Sequence, residues 1–145
     1  MTATTEENKA LVRRLYDEID EHNSDVFDEL FAEECTTGIF RSGSEEAIDG
    51  PEGMKNLMAE YLAAFPDLTG KSMELIAEGD RVAVFREEGG THEGDFRGVA
   101  PTGADITFES SGYYVIEDGE IVHAHLRGNM LNLYEQMGVD TPVPR

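Results

Sequence analysis

The spacing of apolar residues changes period midway along this chain, and that change limits the folds open to it. Up to Phe65 they recur at three- and four-residue intervals; beyond Pro66 they alternate. Leu11, Leu15 and Ile19, with Val12 and Tyr16 beside them, mark one face of a helix predicted over about residues 5–21. Thr4 followed by Glu7 is a capping box for its start. His22-Asn23 breaks that helix, and Ser24 can cap a shorter one over DVFDELFAE. Residues 35–40 read as a short strand and the polar RSGSEEAIDG as a loop. Met54, Leu57, Met58, Tyr61, Leu62 and Phe65 form the stripe of a third helix, with Pro51 at its opening and Pro66 at its end.

In the second half, residues 71–78, 81–88, 105–116 and 120–127 alternate Val, Ile, Phe, Tyr and Thr with polar residues. Glu78-Gly79-Asp80 and Glu117-Asp118-Gly119 are hairpin turns between them. MLNLYEQMG closes the pattern as a short helix stopped by Gly138. Helices first and an antiparallel meander after predict an α+β fold with the helices on one sheet face. No linker or repeat interrupts the 145 residues, so residues 1–145 read as a single domain. A chain of this length buries about two-thirds of its unfolded surface.

Charge narrows the function. There are 31 Asp and Glu against 11 Lys and Arg, a net charge of −20. Nucleic acid and anionic membrane both require a positive footprint, so neither is an expected partner. The acids are scattered rather than gathered in one segment and read as a solvated coat. Lysine is confined to Lys9, Lys55 and Lys71. Acid excess with few lysines predicts a halophilic protein from a high-salt cytoplasm, where self-repulsion is screened. Cys35 stands alone, which excludes an internal disulfide or a cysteine metal cluster and leaves it a small buried hydrophobe. MTATTEENKA lacks the basic and apolar regions of a signal peptide, and no apolar run reaches membrane-spanning length, so a cytoplasmic location is expected.

Three segments, in order, resemble one family. AAFPDLTGKSMELIAEGDRVAVF ends a helix and enters a strand pair; GGTHEGDFRGVAPTGADITFES carries a Gly-Thr-His-x-Gly stretch followed by Pro-Thr-Gly; EDGEIVHAHLRGNMLNLYEQMG ends in Gln-Met-Gly. Together they are similar to the SnoaL-like polyketide cyclases of the nuclear transport factor 2-like superfamily. That resemblance implies a cone: a strongly bent mixed or antiparallel sheet wrapped around about three N-terminal helices, with a short C-terminal helix and a pocket at the open end. It also implies a small-molecule ligand, a homodimer formed through the outer sheet face, and acid–base catalysis of an intramolecular aldol closure with no metal and no cofactor. Counting inward from Gln136, the family's catalytic aspartate corresponds to Asn129 and its tryptophan to His125. An amide cannot ionise near neutral pH, but it can hydrogen-bond an enolate oxygen.

Candidate site residues follow. His92 occupies the place of the family's pocket histidine, and its ordinary pKa near 6.5 suits proton transfer. His123, His125, Arg127 and Asn129 alternate along one strand and share one face, which is either a polar pocket wall or a solvent-facing edge. Arg86 can clamp a carboxylate or enolate, or pair with one of the many acids. Glu109, if buried, would have a raised pKa and replace the missing acid. Tyr16, Tyr61 and Phe65 are expected to point inward, Tyr16 offering its hydroxyl to a bound carbonyl as tyrosines do in related ketosteroid isomerases. Three functions follow: a cofactor-independent cyclase or isomerase of a small apolar carbonyl compound, a non-catalytic ligand-binding module, or an epoxide hydrolase, which needs two carboxylates in the cavity.

Overall fold

The computed structural model describes residues 4–41 and 44–140. Helix α1 (Thr5–Asp20) starts at the predicted capping box: the Glu7 N–H donates to Thr4 Oγ1 at 3.1 Å, and the Thr4 N–H donates to Glu7 Oε1 at 3.4 Å. Its buried stripe is Val12, Leu15 and Tyr16, joined by Asn8, whose Nδ2 donates to the Gly79 carbonyl at 3.4 Å. The second helix, α2 (Val26–Leu30), is shorter than DVFDELFAE predicts. Phe31 is already extended (φ −99°, ψ 134°) and begins strand β1 (Phe31–Arg41). Buried strand pairing there outweighs local helix propensity.

The polar stretch read as a loop contains a second strand, β2 (Ser44–Asp49), on the edge of the sheet against β1. Acidic side chains on an edge strand keep it from pairing with other chains, and they also hide it from a propensity-based reading. Helix α3 (Gly50–Ala64) follows, with Gly50 at φ 64° where a side chain would be strained. Strands β3 (Thr69–Glu78), β4 (Arg81–Thr91), β5 (Asp105–Glu117) and β6 (Glu120–Gly128) then lead to α4 (Met130–Gln136). Asp118 and Gly119, both at positive φ (50° and 77°), form the predicted turn between β5 and β6.

The six strands run in the order β2-β1-β6-β5-β4-β3. Strand β1 pairs in parallel with β6, and the other pairings are antiparallel. The open mixed sheet therefore has the predicted α+β cone architecture. Register breaks between Phe31 and Thr36, Gly70 and Ser72, and Val115 and Ile116 supply the bend. Gly112 sits where β5 presses on β6: an added Cβ would lie 2.2 Å from the His125 carbonyl oxygen.

Helix α1 covers β3 and β4, while α3 covers β1. One core joins α1, α2 and α3 to the sheet around Leu15, Phe27, Phe31, Tyr114 and Ile121. A second lies under α4 around Phe65, Phe96, Phe108 and Leu133. The helices diverge over the middle strands, and a hollow remains between them. No helix among the described residues is long and apolar enough to cross a membrane.

Candidate functional site

The hollow has a volume of about 150 Å³ and is bounded by α1, α3 and the inner faces of β4, β5 and β6. Ile19, Phe27, Met54, Leu57, Met58 and Phe108 supply most of its apolar wall. Its polar groups come from Tyr16, Asp20, Tyr61, Glu88, Ser110 and Tyr114, with Arg127 at its border. The period-2 alternation brings these strand residues inward, since Glu88 shares the face of Val82, Val84 and Arg86, and Tyr114 that of Ile116.

Two tyrosines form the centre of the site. The Tyr16 and Tyr114 hydroxyls are 2.8 Å apart, with their rings edge to face at 72°. In such a pair one O–H donates to the other oxygen, leaving the second hydrogen for a third group. Burial pushes the Tyr16 pKa up to about 12 and that of Tyr114 well above the usual phenol value. Both remain neutral donors at any working pH, as stabilising an oxyanion requires.

Beneath them lies an arginine between two carboxylates. The Arg86 guanidinium sits 4.7 Å from the Tyr16 ring centre. Its side chain is 3% exposed and pairs with Asp20 and, at 3.3 Å, with Glu88. Asp20 also accepts the Gly70 N–H at 3.0 Å, tying the end of α1 to β3. A Cβ on Gly70 would lie 2.9 Å from both an Arg86 guanidinium nitrogen and an Asp20 carboxylate oxygen, so a side chain there would push on this ion pair. Burial raises the pKa of Glu88, and the adjacent Arg86 charge offsets only part of that rise. Burial works against the Arg86 charge, but the hydrogen bond it donates to Asp20 and both carboxylate charges outweigh it and hold its pKa above the usual value. A buried carboxyl group that resists ionisation and faces a cavity is equipped to take or give a proton.

Tyr16 and Tyr61 line this hollow as expected, and Arg86 adopts the ion-paired of its two readings. Phe65 packs instead in the second core, 5.3 Å from Phe96 and 5.6 Å from His92. His92 is wholly buried outside the lining of the hollow. Its Nδ1 accepts the Thr102 N–H at 3.2 Å and lies 2.9 Å from Thr102 Oγ1, while Nε2 has no partner among the described residues. The backbone N–H of His92 donates to the Ala104 carbonyl at 2.9 Å, and its carbonyl accepts the Gly103 N–H at 2.9 Å. These contacts fasten the β4–β5 connection.

The expected hollow shared by His92 and Asn129 is not formed. Ala124 is fully buried in the main core, so its neighbours His123 and His125 face the other way, where both lie against Tyr113. Arg127 is exposed, its guanidinium 4.9 Å from the Phe40 ring. Asn129 lies past the end of β6, exposed, with Oδ1 accepting the Asn132 N–H at 3.2 Å as the cap of α4. Glu109 is exposed on the same outer side. There Phe85, Glu109, Arg127 and Asn129 border an open groove of about 570 Å³. It is larger than the inner hollow, yet Phe85, Glu109, Arg127 and Asn129 are all exposed to water along it.

Glu88, Asp20 and Tyr114 are the site residues missing from the sequence reading. Two carried a signal: Glu88 continues the strand face of Val82, Val84 and Arg86, and Asp20 lies one helical turn beyond Tyr16. Among the described residues no cluster of three or more His, Cys, Asp or Glu could hold a metal ion.

A sequence model described as SnoaL-like polyketide cyclase matches residues 10–137. The chain is 27% identical to the proposed hydroxylase AclR of Streptomyces galilaeus, covering 98% of this chain and 91% of that one with a TM-score of 0.83. A proposed SnoaL-like polyketide cyclase of Jannaschia matches at 23% identity over 94% and 95% of the two chains, TM-score 0.83. IdmH, a proposed polyketide cyclase of Streptomyces antibioticus, matches at 24% over 91% and 99%, TM-score 0.77. Among curated proteins none matches the chain.

Proposed function

The chain belongs to the SnoaL-like polyketide cyclase family, and from that premise we propose that it is a cofactor-independent acid–base enzyme acting on a small, largely apolar carbonyl compound held between α1, α3 and the sheet. The observation that carries this reading is one hollow lined by both the buried tyrosine pair and the Glu88 carboxyl group. A substrate carbonyl oxygen accepts the hydrogen that the two tyrosines leave unspent. Ionised Glu88 takes a proton from the adjacent carbon, and the electron pair moves onto the oxygen as an enolate. That enolate either regains the proton at another carbon, an isomerisation, or attacks a second carbonyl carbon of the same molecule, whose oxygen takes the proton back from Glu88, the ring closure of the family. The raised pKa of Glu88 makes it a stronger base than an exposed glutamate. The acid limb of the rate therefore lies above the ordinary value of 4.5.

Exchange of α-protons of small cyclic ketones in D₂O, followed by NMR, tests the proposal. Glu88→Gln should lower the rate about 10²–10⁴-fold, and Tyr16→Phe about 10–10³-fold. Binding without any exchange would leave the non-catalytic module, which the exposed Asn129 at the family's aspartate position favours. A second reading comes from the carboxylates on either side of Arg86. One could take a proton from water while the other protonates an epoxide oxygen, giving a diol. Hydrolysis of cyclohexene oxide with ¹⁸O incorporated from labelled water supports that reading, and an unreacted epoxide removes it. On the family's footing two copies pair through the outer sheet face, where Ile76 and Phe85 are 55% and 53% exposed. Sedimentation should give a two-chain mass that Phe85→Glu halves.

A further inference from the structure

We infer that the inner hollow selects an uncharged compound of a single ring, a cyclic ketone or phenol, and refuses both fused multi-ring and anionic compounds. The inference rests on the acid–base reading for which group reacts, but not for binding. Pockets that take drug-sized ligands run to about 300–1,000 Å³, whereas this one measures about 150 Å³. An apolar cavity of roughly that volume accepts benzene.

The size holds only if the walls cannot retreat, and both helical walls are pinned. On α3, a Cβ at Gly53 would lie 2.4 Å from Ile48 Cγ2, so the helix is already pressed onto β2 as closely as glycine permits. Met54 and Met58, on the cavity side of that helix, are 5% and 9% exposed and packed into the core. Helix α1 is tied by Asp20 to Arg86 on β4 and to the Gly70 N–H on β3. For a second fused ring to lie wholly within the hollow, one of these anchored elements would have to be displaced.

Charge completes the selection. The polar end of the hollow presents Asp20 and Glu88, and the cation beside them, Arg86, is shared by both and covered by the Tyr16 ring. Arg127, the other cation at the lining, lies over Phe40. An incoming carboxylate at that end meets two acids and a cation already shared between them, in a chain of net charge −20. A neutral carbonyl or hydroxyl oxygen meets the tyrosine donor.

Titration calorimetry at neutral pH with cyclohexanone, phenol, benzaldehyde, benzoate, 2-naphthol and anthrone tests this on the wild-type protein. The three neutral single-ring probes should bind at least about tenfold more tightly than the two-ring and three-ring probes. Benzoate should bind at least about tenfold more weakly than benzaldehyde. Met58→Ala, which deepens the hollow, should gain 2-naphthol. The inference is overturned if anthrone or benzoate binds the wild type as well as the neutral single-ring probes, or if none of those three binds. Single-ring binding without α-proton exchange would sink the acid–base reading and leave this one standing; exchange confined to multi-ring ketones would do the reverse.

Discussion

Burial sets Glu88 against its own charge. Its side chain is 14% exposed, and desolvation raises its pKa above 4.5 despite the Arg86 partner. The folded protein therefore holds this proton more tightly than the unfolded chain. Between the ordinary and the raised value, ionisation costs stability as pH rises; below that window the cost vanishes, and above it the cost is complete. Thermal melts of wild type and Glu88→Gln should nearly coincide at pH 4. The variant should gain on the wild type as pH rises to 8, and a constant gap would contradict the assignment. His92 illustrates the opposite use of a buried polar group. Replacing it by Ala leaves the Thr102 N–H without its acceptor and opens a void beside Phe65. The expected cost is about 2–4 kcal/mol in a urea melt, with α-proton exchange per folded molecule altered only a few fold. A loss of exchange at unchanged stability would instead return the proton-transfer role to His92.

At the level of elements, the last turn of the chain completes the sheet. Strand β6 ends with Gly128 opposite Ser110, so Thr107, paired with Gly89 of β4 on one side, has no strand on the other. Gln136 of α4 takes that place: Oε1 accepts the Thr107 N–H and Nε2 donates to the Thr107 carbonyl, each at 2.7 Å. The glutamine of the Gln-Met-Gly ending thus acts as one residue of a missing strand. Gln136→Ala should cost about 1–3 kcal/mol by leaving both groups unpaired, read as a lower urea midpoint. Methylene-for-amide shape is kept by Gln136→Met, which should restore little. Strand β2 teaches a related lesson, because its residues pair with β1 although glutamates and aspartate dominate them. Hydrogen-bonding partners supplied by the preceding strand β1, rather than side-chain propensity, hold that edge.

Over the whole molecule, a net charge of −20 opposes compaction, because like charges on a small body repel. The described ion pairs Arg14 with Glu29, Lys55 with Asp28 and Arg97 with Glu60 relieve little of it, lying largely at the surface. Raising salt from about 0.1 M to about 1 M shortens the screening length from roughly 10 Å to roughly 3 Å. The melting temperature should climb steeply over that range, and a melting temperature indifferent to salt would contradict the halophilic reading. The bend of the sheet is the other global property. It lets α1 stand over β3 and β4 and α3 over β1 and β2, and the hollow lies between the two helices and the sheet.

The amino-acid order alone determined the elements whose signals are local. The helical stripe of α1 and its capping box, the proline-bounded α3, the Asp118-Gly119 turn and the alternation of β3 to β6 each lie within a few residues of sequence, where propensity and period act. Which residues meet across the fold was decided only in three dimensions. Tyr16 and Tyr114 are 98 positions apart, and Asp20 and Arg86 are 66 apart. Nothing local distinguishes Glu88 from the other acids except the face it shares with Val82, Val84 and Arg86. Likewise, Asn129 leaves the β6 alternation because the ladder stops one residue before it, an ending set by the neighbouring strand. Burial is a property of the packed sheet and helices, and burial is what turns an ordinary carboxyl group and two phenols into a site.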